Sequence, residues 1–395
     1  MSHFFYRCTQ CNNSFERDTV RYLCPNCGKN FKAGQPLSGV LEVVFDYEFI
    51  KKKFDKNIPN WELFSAVEKE YFVKFPVGNT PFSRAPRLEK YLGLNDVWIK
   101  NDGLNTSGSL KDRASFLVVS EANRIGEEII VTASTGNAAS ALSAVAAAAG
   151  KKAIIFVPKT APQAKLVQIA QYGAEIKLVD GTYDDACRLS LEYTNTKQGL
   201  NRNTAYHPLT IEGKKTVGFE IIAQNNFKVP DAIVVPVGDG VIISGVYKAF
   251  FDLKAAHIIN KMPKLICVQA ENSNSIHNYI QSGVYHDTKN PDTIADSISV
   301  SVPSNAHMAK RSVELTHGFS LLVSDDEILT GQTLLASHTG IFAEPAAAAT
   351  VAALQKISAQ NLLDKNEQIV LLITGNGLKD INAAMRKMKI LQTAC

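Results

Sequence analysis

The side chain with the most reactive chemistry to offer sits at the end of a loop of small residues. Asn101-Asp102-Gly103-Leu104-Asn105-Thr106-Ser107-Gly108-Ser109-Leu110 delivers Lys111, with Asp112 and Arg113 behind it, to the expected start of a helix. A lysine there opposes the helix macrodipole, so its pKa should fall and its neutral, nucleophilic fraction should rise. Schiff-base chemistry needs such an amine. The competing reading of the same residues is a surface lysine paired with Asp112.

Three more loops carry groups that could serve one ligand. Ser134-Thr135-Gly136-Asn137 offers hydroxyls, a glycine and free N–H groups at a helix start, which is either a carboxylate receptor or a plain N-cap. Gly238-Asp239-Gly240-Val241-Ile242 leads into a helix expected from Ser244, an arrangement in which backbone N–H groups hold a phosphate. A dinucleotide fingerprint would need glycine at Ile243, and the next glycine is Gly245, which weakens that reading. Thr374-Gly375-Asn376-Gly377-Leu378-Lys379-Asp380 presents a hydroxyl at a turn. An amine-reactive lysine, an anion loop, a carboxylate loop and a hydroxyl together describe a pyridoxal phosphate site.

Each loop follows an apolar run, as ligand loops do in open α/β sheets. The runs are Val97–Lys100, Glu128–Ala133, Lys152–Pro158 and Glu175–Asp180, with helices starting near Lys111, Asn137, Pro162 and Tyr183. A second series comprises Ala232–Gly238, Lys264–Ala270, Ser320–Ser324 and Ile369–Gly375, with helices near Ile211–Gln224, Ser244–Leu253, Asp326–Ser337 and Pro345–Gln360. Continuous apolar runs alternating with helices imply parallel strands buried on both faces, so two parallel-sheet α/β domains are expected. The Ala-rich stretch Asn137–Ala149 should allow close helix packing and end at Gly150. Gln35–Phe75, with Trp61, Phe64 and Val67 at helical spacing, should wrap onto a neighbouring surface.

With 395 residues and 45% hydrophobic content, the chain can bury two cores. Its 42 Lys+Arg against 38 Asp+Glu leave +4, spread along the chain, which argues against nucleic acid as the main partner. No apolar window is long enough to cross a membrane and no signal peptide opens the sequence, so a cytoplasmic protein is expected. Four of the seven cysteines form Cys8-x2-Cys11 and Cys24-x2-Cys27, and Cys187, Cys267 and Cys395 stand alone. Paired knuckles of this kind converge on one structural zinc ion; the bland reading is a ribbon without metal. A closed four-thiolate site has no open position for substrate and would staple the segment 1–32.

The motifs Gly78-Asn79-Thr80-Pro81, Thr106 to Arg113, Ser134 to Asn137, Ile211-Glu212-Gly213-Lys214-Lys215-Thr216 and Thr374 to Asp380 resemble the threonine synthase family, from about residue 75 to 385, as does the Tyr6-Arg7-Cys8 start. The resemblance implies a tryptophan-synthase-β-like, type II pyridoxal phosphate fold. Its larger domain would comprise 33–105 and 205–395, and a smaller mobile domain 106–204. It further implies that Lys111 carries the cofactor and moves protons, Asn137 bonds the ring oxygen, Gly238 to Ile242 hold the cofactor phosphate and Thr374 faces the pyridine nitrogen. Ser134, Thr135 and Gly136 would take the substrate carboxylate, and Glu344 would face substrate or cap the following helix. The implied reaction converts O-phospho-L-homoserine and water to L-threonine and phosphate. A homodimer is compatible with this body plan.

Two departures stand out. The family's Asn-Ala-Gly-Asn after the first glycine of the phosphate loop is here Asp239-Gly240-Val241-Ile242, which puts a carboxylate near a phosphate. The family's Asn-Ser and Asn-Pro-x-Arg before Ile-Glu-Gly become Thr204-Ala205-Tyr206-His207-Pro208-Leu209-Thr210, so the serine and arginine of a phosphate clamp are replaced by Ala205 and Thr210. His207 or Lys214 is a candidate replacement, though a lone histidine is commonly structural. A threonine-synthase-like enzyme for another amino acid, by cysteate-synthase-like replacement or serine/threonine-dehydratase-like elimination, is the alternative reading. A fold retained as a binding module is a third.

Overall fold

The computed structural model describes residues 4–30, 32, 34–161, 163–196 and 199–386; Pro162, an expected helix start, and Cys395 lie outside the described residues. Two parallel sheets dominate. The larger runs from edge to edge as Phe319–Val323, Lys264–Ala270, Ala232–Pro236, Ile369–Ile373, Val97–Asn101 and Phe82–Arg84, all parallel except the last strand. The smaller, also parallel, runs as Glu175–Val179, Lys152–Pro158, Ile129–Ala133 and Leu200–Asn201. The apolar runs thus became central strands, and Ile369–Ile373 and Ala232–Pro236 are buried at every position, as strands covered on both faces must be.

The N-terminal segment forms its own antiparallel sheet from Ser14–Phe15, Phe4–Cys8 and Leu41–Phe45. The expected helical spacing around Trp61 gives way to a short 3-10 turn, Trp61–Phe64, because the Asn60 side chain caps it and Ser65 turns extended behind it. Trp61 stacks on Phe219 at 5.1 Å, so the segment does lie on a neighbouring helix surface. The strands Leu41–Phe45, Phe82–Arg84 and Leu200–Asn201, too short or too mixed to show in the pattern, complete the sheets.

Three helices meet behind the expected site: Lys111–Ile125, Leu209–Gln224 and Val241–Ala255. The last starts at Val241, not Ser244, because Gly240 takes φ +86° and turns the chain into the helix early. Any Cβ on Gly240 would lie 2.8 Å from the Asn305 carbonyl oxygen, so only glycine fits. Gly213 lets the first two helices touch; a Cβ there would lie 2.3 Å from the Arg113 carbonyl oxygen and 2.7 Å from Ala114 Cα.

The same contact buries a charge network. Arg113 donates through Nε and Nη2 to Asp102 at 2.6 and 2.9 Å and through Nη1 and Nη2 to Glu220 at 2.6 and 2.9 Å. Lys100 donates to Glu220 at 2.6 Å. Asp112, one residue before, accepts from the Ser107 backbone N–H at 2.7 Å and from its hydroxyl. Burial nonetheless pushes the Asp112 carboxyl up to about 6.

Two predictions follow from this packing. Gly213→Ala should cost about 1–3 kcal/mol through overpacking, seen as a lower denaturant midpoint at unchanged slope; an unchanged midpoint would show that the helices separate freely. The folded state holds the Asp112 proton up to about pH 6, whereas an unfolded carboxyl releases it near ~3.9, so this group adds stability as pH falls through that window. Urea melts of wild type and Asp112→Asn should therefore diverge in favour of wild type as pH drops from about 6 to 4. A pH-independent difference would contradict it.

Candidate functional site

The lysine loop, the 374–380 loop and the start of the Asn137 helix come together at one cleft. Lys111 opens its helix with no side-chain cap at Leu110, so its amine stands in the field of the helix start. No hydrogen bond or ion pair engages its ammonium among the described residues. Burial drives its pKa down, Glu344 and Asp239 pull it up, and Arg202 pushes it down. The pairing with Asp112 does not form, because Asp112 is taken by Ser107.

Beside it, the Ser109–Gly375 bridge and the Leu110 N–H to Thr374 carbonyl bond of 2.9 Å stitch the lysine loop to the 374–380 loop. Thr374 is buried there. Glu344, fully withdrawn from solvent, precedes the helix Pro345–Ala359 but does not cap it. Its carboxylate accepts instead from Asn137 Nδ2 at 3.0 and 2.9 Å and from the Ser297 hydroxyl at 3.3 Å. Burial raises its pKa, which Asn137 and Lys111 oppose.

Asn137 begins the helix Asn137–Ala148, whose N-cap is Gly136 without a side-chain bond. The Ser134 hydroxyl accepts from the Gly136 N–H at 3.2 Å, the Ala139 N–H turns back to the Gly136 carbonyl at 3.1 Å, and the Asn137 and Ala138 N–H groups have no partner among the described residues, so no side chain caps the helix and two donors remain for an anion. Thr135, Gly136, Asn137 and Glu344 line a cleft of about 560 Å³. Ser134, Lys111, Thr374 and the 238–242 loop lie outside its lining.

In the 238–242 loop, a Cβ on Gly238 would lie 2.8 Å from Ile298 Cα, so only glycine fits this closely packed backbone, and the first N–H groups of the helix that follows have no helical partner of their own. The Asp239 carboxylate is anchored by the Ser304 N–H at 2.7 Å, and Lys214 and Lys111 are the cations it feels, which answers its awkward charge. An amine without a partner, two glycines that no other residue could replace, free helix N–H groups and a buried hydroxyl fit pyridoxal phosphate.

Sequence reasoning did not single out three further groups. Lys379 crosses from the 374–380 loop to donate to the Ser107 carbonyl at 2.8 Å, the Ser140 hydroxyl at 3.0 Å and Gln168 Oε1 at 2.8 Å. Ser297 supports Glu344 from a 3-10 turn with no motif. Arg202 is buried directly after Leu200–Asn201, with nothing in its spacing to mark it.

Far from the cleft, Cys8, Cys11, Cys24 and Cys27 place their sulfur atoms within 4.8 Å of one another, Cys11 and Cys24 at 3.7 Å. Zinc–sulfur bonds of about 2.3 Å in a tetrahedron set sulfurs roughly 3.8 Å apart, so this group could hold zinc. No described helix is long and apolar enough to cross a membrane.

Residues 73–375 match the pyridoxal-phosphate dependent enzyme family. The chain is 36% identical over 392 residues to a threonine synthase of Methanocaldococcus jannaschii, covering 96% of this chain and 94% of that one. It is 34% identical to a threonine synthase of Methanosarcina acetivorans over 386 residues, covering 95% and 92%. Among solved structures, the processed form of threonine deaminase isoform 2 from Solanum lycopersicum superposes with a TM-score of 0.67 at 25% identity, covering 78% of this chain and 88% of that one. Maize serine racemase, at 22% identity and a TM-score of 0.67 over 78% and 92% of the two chains, shares the fold. With these matches over nearly its whole length, the chain belongs to the threonine synthase family of fold type II pyridoxal-phosphate dependent enzymes.

Proposed function

We propose that this enzyme converts O-phospho-L-homoserine and water to L-threonine and phosphate. The observation that supports the reading is the buried, unpartnered Lys111 amine on a loop stitched to Thr374, beside a cleft lined by Asn137 and Glu344, in a chain alike to threonine synthases over nearly its whole length. Bound pyridoxal phosphate supplies an electron sink for a carbanion beside the substrate amine.

The chain's own residues do the rest. Lys111 holds the cofactor and moves the Cα proton, and its burial keeps enough of the neutral amine for that work. Ser134, Thr135 and Gly136, with the unpaired N–H groups of the Asn137 helix, bind the substrate carboxylate. Asn137 holds the ring oxygen, its amide oriented by Glu344. Thr374 would face the pyridine nitrogen with a neutral hydroxyl, which, unlike a carboxylate, leaves the ring less electron-withdrawing. Gly238, Asp239, Gly240, Val241 and Ile242 seat the cofactor phosphate on the helix start.

The segment 106–204 serves as a smaller mobile domain against 33–105 and 205–395, and closing it over the cleft would exclude water from the proton steps. The zinc ribbon 1–32 serves as a staple in a cytoplasmic, reducing setting. Elimination or replacement on another amino acid is the second reading. It is favoured by Ala205, which lies in an apolar cluster, and by Thr210, whose hydroxyl is spent on the Thr204 and His207 carbonyls.

Cofactor-loaded protein should release threonine and free phosphate from O-phospho-L-homoserine and none from O-phospho-L-serine, identified by product mass and a phosphate assay. Turnover of phosphoserine alone would move the assignment to the second reading. Lys111→Ala should lose the visible absorbance of the bound cofactor and at least ~10²-fold of activity. For the ribbon, metal analysis should find one zinc per chain, and Cys24→Ser, at a buried ligand, should lose it and melt at lower temperature. A variant free of zinc with an unshifted melting point would remove the staple role.

A further inference from the structure

Two buried cations beside Lys111 have no anion to hold. Arg202 is 1% exposed; its Nε donates to the Ser115 hydroxyl at 3.2 Å, and its Nη2 has no partner. Ser115 follows Lys111 by one helical turn, so the guanidinium lies along the helix face that carries the lysine. Lys214 is 4% exposed, and no acceptor among the described residues bonds its ammonium. It sits where the three helices meet: a Cβ on Gly245, in the second turn of the helix from Val241, would touch Lys214 Cβ at 3.0 Å.

Electrostatics ties the pair together. Burial first, then the charges of Lys111 and Arg202, depresses the Lys214 pKa, and Asp239 alone opposes it. Burial likewise lowers the Arg202 guanidinium to about 10. A third donor is close by. His207 Nδ1 accepts the Leu209 N–H at 3.2 Å, so its proton lies on Nε2, which is buried without a partner. Burial, then the charges of Arg21 and Arg202, pull this imidazole down to about 3, which makes it a neutral donor. Unpaired buried donors are costly, and a dianion with three acceptor oxygens would satisfy them.

We propose that Arg202 and Lys214, flanked by His207, form the receptor for the phosphate ester of the substrate. This rests on the reading of the substrate given above. The placement explains how the receptor survives without the family's arginine. Thr210 and Lys214 lie four residues apart on one face of the helix Leu209–Gln224, and helical side chains lean toward the N-terminus. The Lys214 ammonium therefore reaches back over the turn from which Thr210 offers nothing. The cofactor's own phosphate has the separate donors of the Val241 helix start.

Inorganic phosphate is the probe. Calorimetric titration into cofactor-loaded Lys214→Met and Arg202→Met should show phosphate binding weakened about tenfold or more, with KM for O-phospho-L-homoserine raised to match. Arg202→Lys should recover part of the loss, and pyridoxal phosphate affinity, read by absorbance titration, should move less than about threefold. Lys214→Gln, which adds no apolar bulk, serves if the methionine variants misfold. Loss of cofactor affinity with phosphate binding intact would assign these cations to the cofactor and overturn the proposal, as would no change in either. If wild type binds phosphate through these residues yet leaves O-phospho-L-homoserine unchanged, the receptor stands and the substrate reading falls.

Discussion

The bidentate grip of Arg113 on Asp102 and Glu220 fixes where the reactive lysine points. Arg113 is two residues from Lys111, and both anions are drawn from other elements, Asp102 from the turn after strand Val97–Asn101 and Glu220 from the helix Leu209–Gln224. A guanidinium fork tolerates little angular error, so the first turn of the lysine helix cannot rotate without stripping the buried Asp102 and the partly buried Glu220 of their partner. Glu220 also accepts the Asn79 and Thr80 N–H groups and Lys100, tying the edge of the large sheet to the same point. Breaking such a group costs far more than it contributes, which makes it a device for geometry rather than for stability.

With its helix fixed, the lysine lies in an environment of deliberate imbalance. Behind it every charge is answered: Lys215 meets Glu212 and Asp252, and Lys248 meets Asp252. In front of it Lys111, Arg202 and Lys214 feel no paired carboxylate of their own: Glu344 and the anchored Asp239 act on Lys111, Asp239 on Lys214, and Tyr183, Asp112 and Asp239 on Arg202. A surplus of buried positive charge is unfavourable in the free protein and favourable once phosphate groups arrive. The site is thus organised for anions before any ligand enters, and the pKa of Lys111, lowered first by burial, is pushed down further by Arg202.

Much of this was legible in the sequence because the ligand loops are local. Ser134 to Asn137, Gly238 to Ile242 and Thr374 to Asp380 each follow a strand marked by its apolar run, and a loop's place at a strand end needs no long-range knowledge. Arg202 was not legible, since a single arginine after a two-residue strand carries no periodic signal and acquires its meaning from Ser115 and Lys111, far away in the chain. Glu344 was ambiguous for a related reason: its position before Pro345 is that of a cap, and only the arrival of Asn137 from the other sheet shows otherwise. The turn at Trp61 misled because aromatic spacing records which residues are buried, and a 3-10 turn on a helix surface buries the same set.

The N-terminal segment accounts for the most puzzling departure, the alanine at 205. Leu23 and Leu37 pack with Val40, Ala205, Ile211, Val241 and Met308 in one small apolar cluster. Tyr22 stacks on Tyr206 at 4.5 Å and accepts the Asn201 N–H at 2.9 Å. The chain from 201 to 211 is therefore roofed by the cysteine-bearing segment, and a serine hydroxyl at 205 would be buried among methyl groups with nothing to bond. Roofing that segment makes an apolar residue the favourable choice at 205, and it closes that route for a polar clamp. The buried cations Arg202 and Lys214 then supply, from the strand end and the helix, the positive charge near Lys111 that a polar side chain at 205 does not. The alanine at 205 and the ribbon above it thus belong to one packing arrangement.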